Sequence, residues 1–338
     1  MSVRTTSLPG PASPSAEVSK PRRHLPRDLE RFGILIAVVL LGAAFATLLP
    51  GVFLSASNLK TIITSQAVML ILALGVTIPL RAHYFDLSVP MTMVIASSLV
   101  AVITKGGGSL SLAVAAALGI ALIVGAVNAL LVVYIGVDSF IATLGTGSVL
   151  TGITFALTNT EVVTGVPREF SAVFTTEVFG ISATAWYAWL LAAIIWVMFQ
   201  YTPYGRLLLF VGGNPHAAFL AGISTKRIAT GAYLLVAIIG AFAGLAVTGI
   251  FGAADPTIAP SFLLLPYSAA FLGAAAFQLG RFNVAGTVTA LYLLAVGVNG
   301  LQLLGASPWV SELFNGFTLI VAVAFSRLLQ RRSQRSTR

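Results

Sequence analysis

The sequence predicts an all-α polytopic membrane protein with about ten transmembrane helices. Hydrophobic residues make up 57% of the 338 positions and charged residues only 9%, and the mean hydropathy is +0.97. A soluble globular domain does not have this composition. Apolar runs of about 20 residues, the length that crosses a bilayer as a helix, recur along the chain. Because these runs are continuous rather than alternating, they exclude a transmembrane β-barrel.

Taken in chain order, the apolar runs leave two polar ends and one membrane domain. Residues 1–31 are rich in Pro, Ser and Arg and predict a disordered cytoplasmic tail. The run 33–49 has no cleavage site, so we expect a retained first helix. Residues 329–338 predict a basic cytoplasmic tail behind a membrane domain at 32–328. Within that domain the predicted helices are 32–49, 61–80, 87–104, 109–134, 139–158, 183–201, 229–251, 262–279, 283–304 and 309–328.

The basic residues predict the orientation of these helices. If both termini lie in the cytoplasm, 16 of the 19 Lys and Arg residues fall on the cytoplasmic side, and Lys60, Lys105 and Arg168 fall outside. This excess follows the positive-inside rule. The net charge of +9 therefore reflects orientation in a bacterial inner membrane rather than nucleic-acid binding. The same orientation places residues 202–228 in the cytoplasm.

Several classes of chemistry are excluded by what the sequence lacks. It has no cysteine, so disulfides, iron–sulfur clusters and thiol catalysis are excluded. Its histidines, His24, His83 and His216, have no metal-site spacing. No Walker A motif or catalytic triad occurs, so we expect no enzyme, and any ATP hydrolysis belongs to another subunit. Asp86 and Asp138 lie at predicted helix ends, which argues against a proton-coupled carrier.

Neutral polar residues in the apolar segments are candidates for a solute path. Phe140 and Thr143 share one face of a predicted helix, and Asn299 and Asn315 come from late helices. Polar groups inside a bilayer need partners, so interhelical hydrogen bonding is one interpretation. The other is a path for a hydroxylated solute, which needs neutral donors and acceptors. On that interpretation these four residues approach the path.

Asp86 and Ser88 begin a predicted helix directly after a His-Tyr-Phe sequence. Their residue types favour capping of the helix N-terminus, with a favourable interaction between the carboxylate and the helix dipole. A second interpretation, compatible with the first, is a gate near the permeation path.

An internal repeat is faintly visible. The segment Asp86–Pro90 is echoed by Asp255–Pro260, and Gly125–Leu130 is echoed by Gly286–Leu291. In each pair the two copies fall on predicted helices, or helix ends, of opposite sense. Such an arrangement is typical of the inverted repeats of transporters. The alternative interpretation is coincidence in an apolar chain.

The cytoplasmic stretch 202–228 contains the signals for a short, well-capped helix. Asn214 is a favourable N-cap and Gly222 a favourable C′ residue, which predicts a helix over Pro215–Leu220. A chain this apolar has little reason to build such a helix outside the membrane, so we expect it to sit in a groove of another protein. Both alanines and the phenylalanine of the helix are expected to be exposed. The residues predicted to make the contact are Gly205, Arg206, Asn214, Ala217, Ala218, Phe219 and Gly222.

Seven short segments of the chain form an ordered set of motifs. They are Asp86-Leu87-Ser88-Val89, Asn128-Ala129-Leu130-Leu131-Val132, Phe140-Ile141-Ala142-Thr143-Leu144-Gly145-Thr146, Thr202–Arg206, Gly213–Ile223, Gly286-Thr287 and Asn299-Gly300. This ordered set resembles the motifs of the permease subunits of sugar-type ABC importers, the ribose, xylose, galactose and autoinducer-2 group. The resemblance covers about residues 40–325.

The resemblance implies a fold with an inverted repeat and a role in importing a sugar or related polyol. It also implies partners: an ATPase subunit that carries ATP and Mg and is gripped by the 202–228 loop, an extracytoplasmic solute-binding protein, and a second permease copy or paralogue. The permease itself binds no cofactor. The sequence leaves open a branched-chain amino-acid or nucleoside ABC permease, and an ATP-independent channel or carrier.

The chain departs from the family pattern where the family keeps glycine. His83-Tyr84 replace a Gly-Gly pair before the Asp86 motif, Pro90 replaces the glycine after it, and Ala274-Ala275 replace a late Gly-Gly pair. We expect these bulkier residues to affect the gate or the solute rather than the fold.

Overall fold

A computed structural model describes the backbone of residues 27–335, with side chains over 32–318 and at 320, 321 and 324. The predicted tail 1–31 lies outside the described residues as far as residue 26, and the last three residues of the predicted basic tail also lie outside them. In chain order the α-helices are α1 Arg27–Leu48, α2 Ala56–Ser65, α3 Ala67–Arg81, α4 Val89–Lys105, α5 Leu110–Ala129, α6 Ser139–Thr158, α7 Arg168–Thr175, α8 Ala183–Tyr201, α9 Pro203–Gly213, α10 Pro215–Leu220, α11 Thr225–Phe251, α12 Leu264–Gly273, α13 Val284–Leu303 and α14 Pro308–Arg335.

Every predicted membrane segment coincides with helix, but two of them are broken. The segment 61–80 is built from α2 and α3, which are bent by 43° at Gln66. The segment 262–279 is built from a 3₁₀ turn at Ala259–Phe262 and α12, and it ends early, at Gly273. A π-helical turn, Leu130–Ile135, extends α5 without a break.

The polytopic helical class is confirmed, whereas the count of ten membrane helices is not. Five described helices are long and apolar enough to cross a membrane, and the bent α2–α3 pair makes a sixth. The apolar parts of α1 and α4, and the segment Ala259–Gly273, are shorter. A helix needs about 20 residues to span the hydrocarbon core without tilting or thinning the bilayer.

Helix α3 is the centre of the packed core. All of its residues except Met69 are buried, and it packs against α8, α11, α12 and α13. At Gly75 a side chain would press against Ile239 of α11, so the glycine allows these two helices to approach closely. By contrast, only 28% of the most apolar 18-residue stretch is buried in α5, and the same share is buried in α6. Their exposed Leu, Ile and Val residues are the surface expected of helices that face lipid.

The long loop between α6 and α8 is folded, although the sequence analysis predicted no element there. Strand β1 (Val163–Thr164) pairs antiparallel with β4 (Ala253–Ala254), and β2 (Glu177–Val178) pairs with β3 (Ile181–Ser182) as a hairpin. Between β1 and β2, helix α7 buries one apolar face against α11. The spacing of its two buried phenylalanines, one turn apart, was the available sequence signal.

The stretch 202–228 contains a second helix, α9, that the sequence analysis treated as loop. Thr202 caps it by accepting a hydrogen bond from the backbone N–H of Gly205, and Pro203 occupies its first turn. The Tyr204 hydroxyl donates to the carbonyl of Ile228 at the start of α11. Burial raises the pKa of Tyr204, so this hydroxyl keeps its proton and remains a donor.

Candidate functional site

Residues 83–88 form a non-helical segment between α3 and α4, and we call it the clamped segment. Its backbone is held by side chains because no helix pairs its polar groups. From α6, the Ser139 hydroxyl accepts from the Phe85 N–H at 3.2 Å and the Thr143 hydroxyl accepts from the Leu87 N–H at 3.0 Å. Buried backbone groups require such partners, so α6 fixes the conformation of the clamped segment.

Two tyrosines from the other half of the chain complete the clamp. The Tyr233 hydroxyl on α11 donates to the Phe85 carbonyl at 3.1 Å, and the Tyr267 hydroxyl on α12 donates to the Asp86 carbonyl at 2.6 Å. The Phe85 ring stacks against Phe271 of α12. The sequence analysis missed both tyrosines, because they lie 148 and 181 residues from the carbonyls they bind.

Inside the clamp lies a buried polar cluster of Asp86, Ser88 and Asn128, each at most 1% exposed. The Asp86 carboxylate accepts from the Ser88 hydroxyl at 2.6 Å, from the Ser88 N–H at 3.1 Å and from the Asn128 amide at 3.2 Å. The Asn128 amide also donates to the Ser88 hydroxyl at 2.8 Å. These donors offset part of the cost of burying a carboxylate.

The prediction that Ser88 caps α4 with its side chain is wrong. Ser88 stands at the N-cap position but makes no side-chain cap bond; its hydroxyl instead donates to Asp86 and accepts from the Asn128 amide. Asp86 itself accepts from the backbone N–H two residues on, which is an Asx turn leading into the helix. A gate role for either residue stays a prediction.

His83 occupies the position where the resembling family has the first glycine of a Gly-Gly pair. Its φ of 61° lies in the left-handed region, which glycine adopts at no steric cost. Histidine is among the residues that tolerate this region better than most. The turn into the clamped segment is therefore kept, at the expense of some backbone strain.

The two halves of the predicted repeat agree in one local feature and differ in another. Asp255 accepts from the N–H and the hydroxyl of Thr257 at 2.8 and 2.7 Å, the same turn that Asp86 makes with Ser88. Gly125, however, lies against the backbone of α11, whereas Gly286 lies against the backbone of α12. The turn is thus repeated, but the helix packing around the two glycines is not equivalent.

Buried Arg81 leads into the clamped segment, and the sequence analysis counted it only as an orienting charge. It is 6% exposed, and its guanidinium donates to the Phe282 carbonyl at 3.1 Å and lies 4.2 Å above the Phe199 ring. A single arginine at the end of a long apolar run was the available signal. It ties α3 to the start of α13 and to α8.

The four predicted path residues are not brought together. Thr143 is fully buried and holds the clamped segment through the Leu87 N–H; a path role for it stays a prediction. Phe140, half-exposed, packs edge-on against Phe85. The Thr143–Leu87 and Arg81–Phe282 bonds place the first turns of α6 and α13 at the same end of α3.

The two predicted path asparagines lie elsewhere on late helices. Asn299 is about four turns further along α13, roughly 22 Å from its start, and it accepts from the Asn58 amide at 3.0 Å. Asn315 lies on α14, where its carbonyl oxygen is buried without a hydrogen-bond partner in the described residues. Among the described residues, neither asparagine forms a hydrogen bond with Phe140 or Thr143 of α6.

The short helix predicted over Pro215–Leu220 is present as α10, with the expected caps. The Asn214 side chain accepts from the Ala217 N–H at 3.0 Å. Gly222, at φ 78°, donates to the Phe219 carbonyl, and the next residue, Ile223, donates to the Ala218 carbonyl. This pair of bonds is a Schellman motif, which only a residue tolerant of positive φ closes without strain.

The exposed face of α10 differs from the predicted one. Ala218 is fully buried on a helix that packs against α9 and α11, so the prediction that it is exposed is wrong. Phe219 and Leu220 are 68% and 73% exposed, whereas Ala217 is partly exposed. Gly205 is also buried: a side chain there would meet the backbone of α8. Arg206 remains exposed on α9.

Long apolar helices packed around a buried, non-helical segment define a polytopic helical membrane protein. The chain belongs to the family described as the permease component of branched-chain amino acid transport systems, whose model matches residues 58–323. No solved structure matches the chain.

Relatives that match along nearly the whole chain carry sugar names. The ribose import permease protein of Bacillus subtilis is 29% identical over 92% of this chain and 97% of its own length. The D-allose transport system permease protein of Escherichia coli is 27% identical over 89% and 93%. The galactose/methyl galactoside import permease protein of Haemophilus influenzae is 27% identical over 87% and 92%. The resemblance to sugar-type ABC importer permeases is confirmed.

Proposed function

We propose that this chain is the membrane-spanning permease subunit of an ABC importer and that it translocates a sugar or related polyol delivered by a solute-binding protein. The observation that carries the proposal is the end-to-end similarity to import permeases for ribose, allose and galactose. A neutral polyhydroxylated solute is what these three have in common.

The proposal assigns ATP hydrolysis to a partner. The sequence has no Walker A motif, so ATP and Mg would be bound by a cytoplasmic ATPase subunit, with this chain paired with a second permease copy or paralogue. We place the protein in a bacterial inner membrane with both termini in the cytoplasm, which the distribution of Lys and Arg supports.

Helix α10 is the surface we assign to the ATPase. On the proposed orientation it lies in the cytoplasm, and its last two residues, Phe219 and Leu220, are both exposed to solvent. Apolar side chains on a rigid, doubly capped helix suit a groove in a partner protein. The basic side chains of Arg206, Lys226 and Arg227 are exposed nearby in the chain and would form a polar rim.

The family description favours a second candidate, a branched-chain amino-acid permease. Both candidates are tested by uptake of labelled D-ribose, D-allose, D-galactose and L-leucine in bacterial cells that co-express the permease with its ATPase and binding protein. Sugar uptake without leucine uptake supports the proposal. Uptake of leucine alone would assign the chain to the second candidate.

A further inference from the structure

Helix α2 carries a face of hydroxyl side chains that the sequence analysis did not single out. The hydroxyls follow helical spacing, so they share one side of the helix. They belong to Ser57, Thr61, Thr64 and Ser65. The adjacent side anchors α2, since Ile62 is buried and Asn58 bonds to Asn299 of α13, while Ser57, Thr61 and Ser65 are exposed. The hydroxyl face is therefore held toward open space rather than toward the core.

This face lines a groove between α2 and the β2–β3 hairpin. The groove has a volume of 560 Å³, within the range of small-molecule sites. Its remaining lining residues are Lys60, Glu177 and Gly180. A side chain at position 180 would collide with the Lys60 ammonium group, so the glycine keeps room for that group. The structure records no ion pair between Lys60 and Glu177, and both charges stay available to a ligand.

The hydroxyls have hydrogen-bonding capacity to spare. Thr61 donates to the Ser57 carbonyl and Ser65 donates to the Ile62 carbonyl, at 3.0 and 3.3 Å. Each of these two oxygens still has lone pairs to accept another bond. The structure records no hydrogen bond from the hydroxyls of Ser57 or Thr64, so these two can both donate and accept. A sugar hydroxyl offers the same two capacities.

We propose that this groove, which we call the α2 groove, binds the polyhydroxylated solute as it enters or crosses the permease. The inference rests on the proposed function, which it deepens by assigning solute contact to Ser57, Thr61 and Thr64. The opposite charges of Lys60 and Glu177 suit a neutral ligand with several hydroxyls better than an anion. On the proposed orientation the groove opens on the outer side, where a binding protein would deliver solute.

The first test replaces hydroxyls by methyl groups of the same size. Thr61→Val and Thr64→Val should each reduce initial uptake of the transported sugar, at concentrations below KM, by about tenfold, the effect of one lost hydrogen bond of ordinary strength. Thr64→Ser should retain uptake, because it keeps the hydroxyl. The matched control is Thr47→Val on α1, which removes an exposed hydroxyl with the same kind of bond to its own helix.

The second test measures chemical labelling instead of uptake. Because the sequence has no cysteine, a single introduced cysteine is the only thiol that can react. Thr64→Cys should react with a membrane-impermeant maleimide added outside, and D-ribose, D-allose or D-galactose should slow the labelling at least threefold, whereas L-leucine should not. Normal uptake by both valine variants, or labelling that no sugar slows, would overturn the groove assignment while leaving the proposed function standing. If the unaltered permease imports none of the three sugars, the proposed function itself fails.

Discussion

The Asp86 carboxylate is buried beside uncharged donors, with no cation among its described partners. A charge in such a place is tolerated only while its hydrogen bonds are kept. The donors come from Ser88 and Asn128, and the backbone around Asp86 is held by Thr143, Tyr233 and Tyr267 through carbonyl and N–H groups. The clamped segment is therefore a unit in which each hydrogen bond supports the position of the next.

Tyr267→Phe tests this unit at its shortest bond to the backbone. The change removes the hydroxyl that donates a hydrogen bond to the buried Asp86 carbonyl. We therefore expect the permease to be destabilised by about 1–3 kcal/mol. Thermal unfolding of the detergent-purified permease is the measurement. Tyr187→Phe is the control, since its hydroxyl also bonds to a carbonyl, that of Val173, but at an exposed site. Equal melting temperatures for the two variants would contradict the clamp.

At the scale of elements, α9 connects α10 to the start of the clamped segment. Gly212 near its end lies directly against the backbone at Arg81 and Ala82, where α3 ends. A shift of α10 and α9 would therefore press on the entry to the clamped segment. Two adjacent glycines make this contact testable, because Gly213 has open space where a side chain would stand.

Gly212→Ala should destabilise the permease by about 1–3 kcal/mol, since the added methyl group meets backbone that cannot move aside as a side chain can. Gly213→Ala should be neutral or slightly stabilising, because alanine favours helix. The measurement is the unfolding temperature of both variants in detergent, together with the yield of folded protein. If the two alanines have the same effect, α9 does not pack on α3 as described.

The assignment of α10 to the ATPase is tested at its exposed apolar pair. Phe219→Asp would place a charge in the proposed groove contact, where it would be buried without a partner. We expect copurification of the ATPase with the permease to fall at least tenfold, while insertion of the permease is unchanged. The control is Ser224→Asp, at an exposed residue of the same stretch 202–228 but outside α10. Undiminished copurification with Phe219→Asp would remove α10 from the interface.

The sequence predicted some of these elements and not others, for physical reasons. Apolar runs must be helical in a bilayer, because their backbone groups need partners, and the caps of α10 are local signals at Asn214 and Gly222. Ala218 was misplaced because exposure on so short a helix depends on the neighbouring helices, here α9 and α11. The clamp joins residues far apart in sequence, and a single sequence carries no pattern that links Tyr267 to Asp86.

For the whole molecule, the central structural feature is a buried α3 surrounded by helices with apolar outer faces. Helix α11 is also largely enclosed, since 67% of its most apolar 18-residue stretch is buried, whereas α5 and α6 are mostly exposed. This distribution is the one expected of a bundle in lipid, with polar contacts kept inside it. Composition and the length of the apolar runs were enough to predict a polytopic helical membrane protein. The α2 groove could not be predicted, because it is formed by residues more than a hundred positions apart.

The orientation of the molecule is testable with single cysteines. Thr175→Cys, at the end of α7 in the folded loop, should be labelled in intact cells by an impermeant maleimide, because that loop is proposed to lie outside. Ser333→Cys should be labelled only after the cells are permeabilised, because the C-terminus is proposed to lie in the cytoplasm. The reverse pattern would invert the topology and place the α2 groove on the cytoplasmic side.

The most direct test of the proposed role in ATP-dependent sugar import is solute accumulation by a reconstituted importer. Proteoliposomes would contain the permease and its ATPase, with the binding protein and labelled D-ribose, D-allose or D-galactose added on the binding-protein side. We expect at least one sugar to accumulate. This accumulation should require ATP and Mg and should be lost with Phe219→Asp. Accumulation that proceeds equally well without ATP, or that occurs only with L-leucine, would contradict the proposed role.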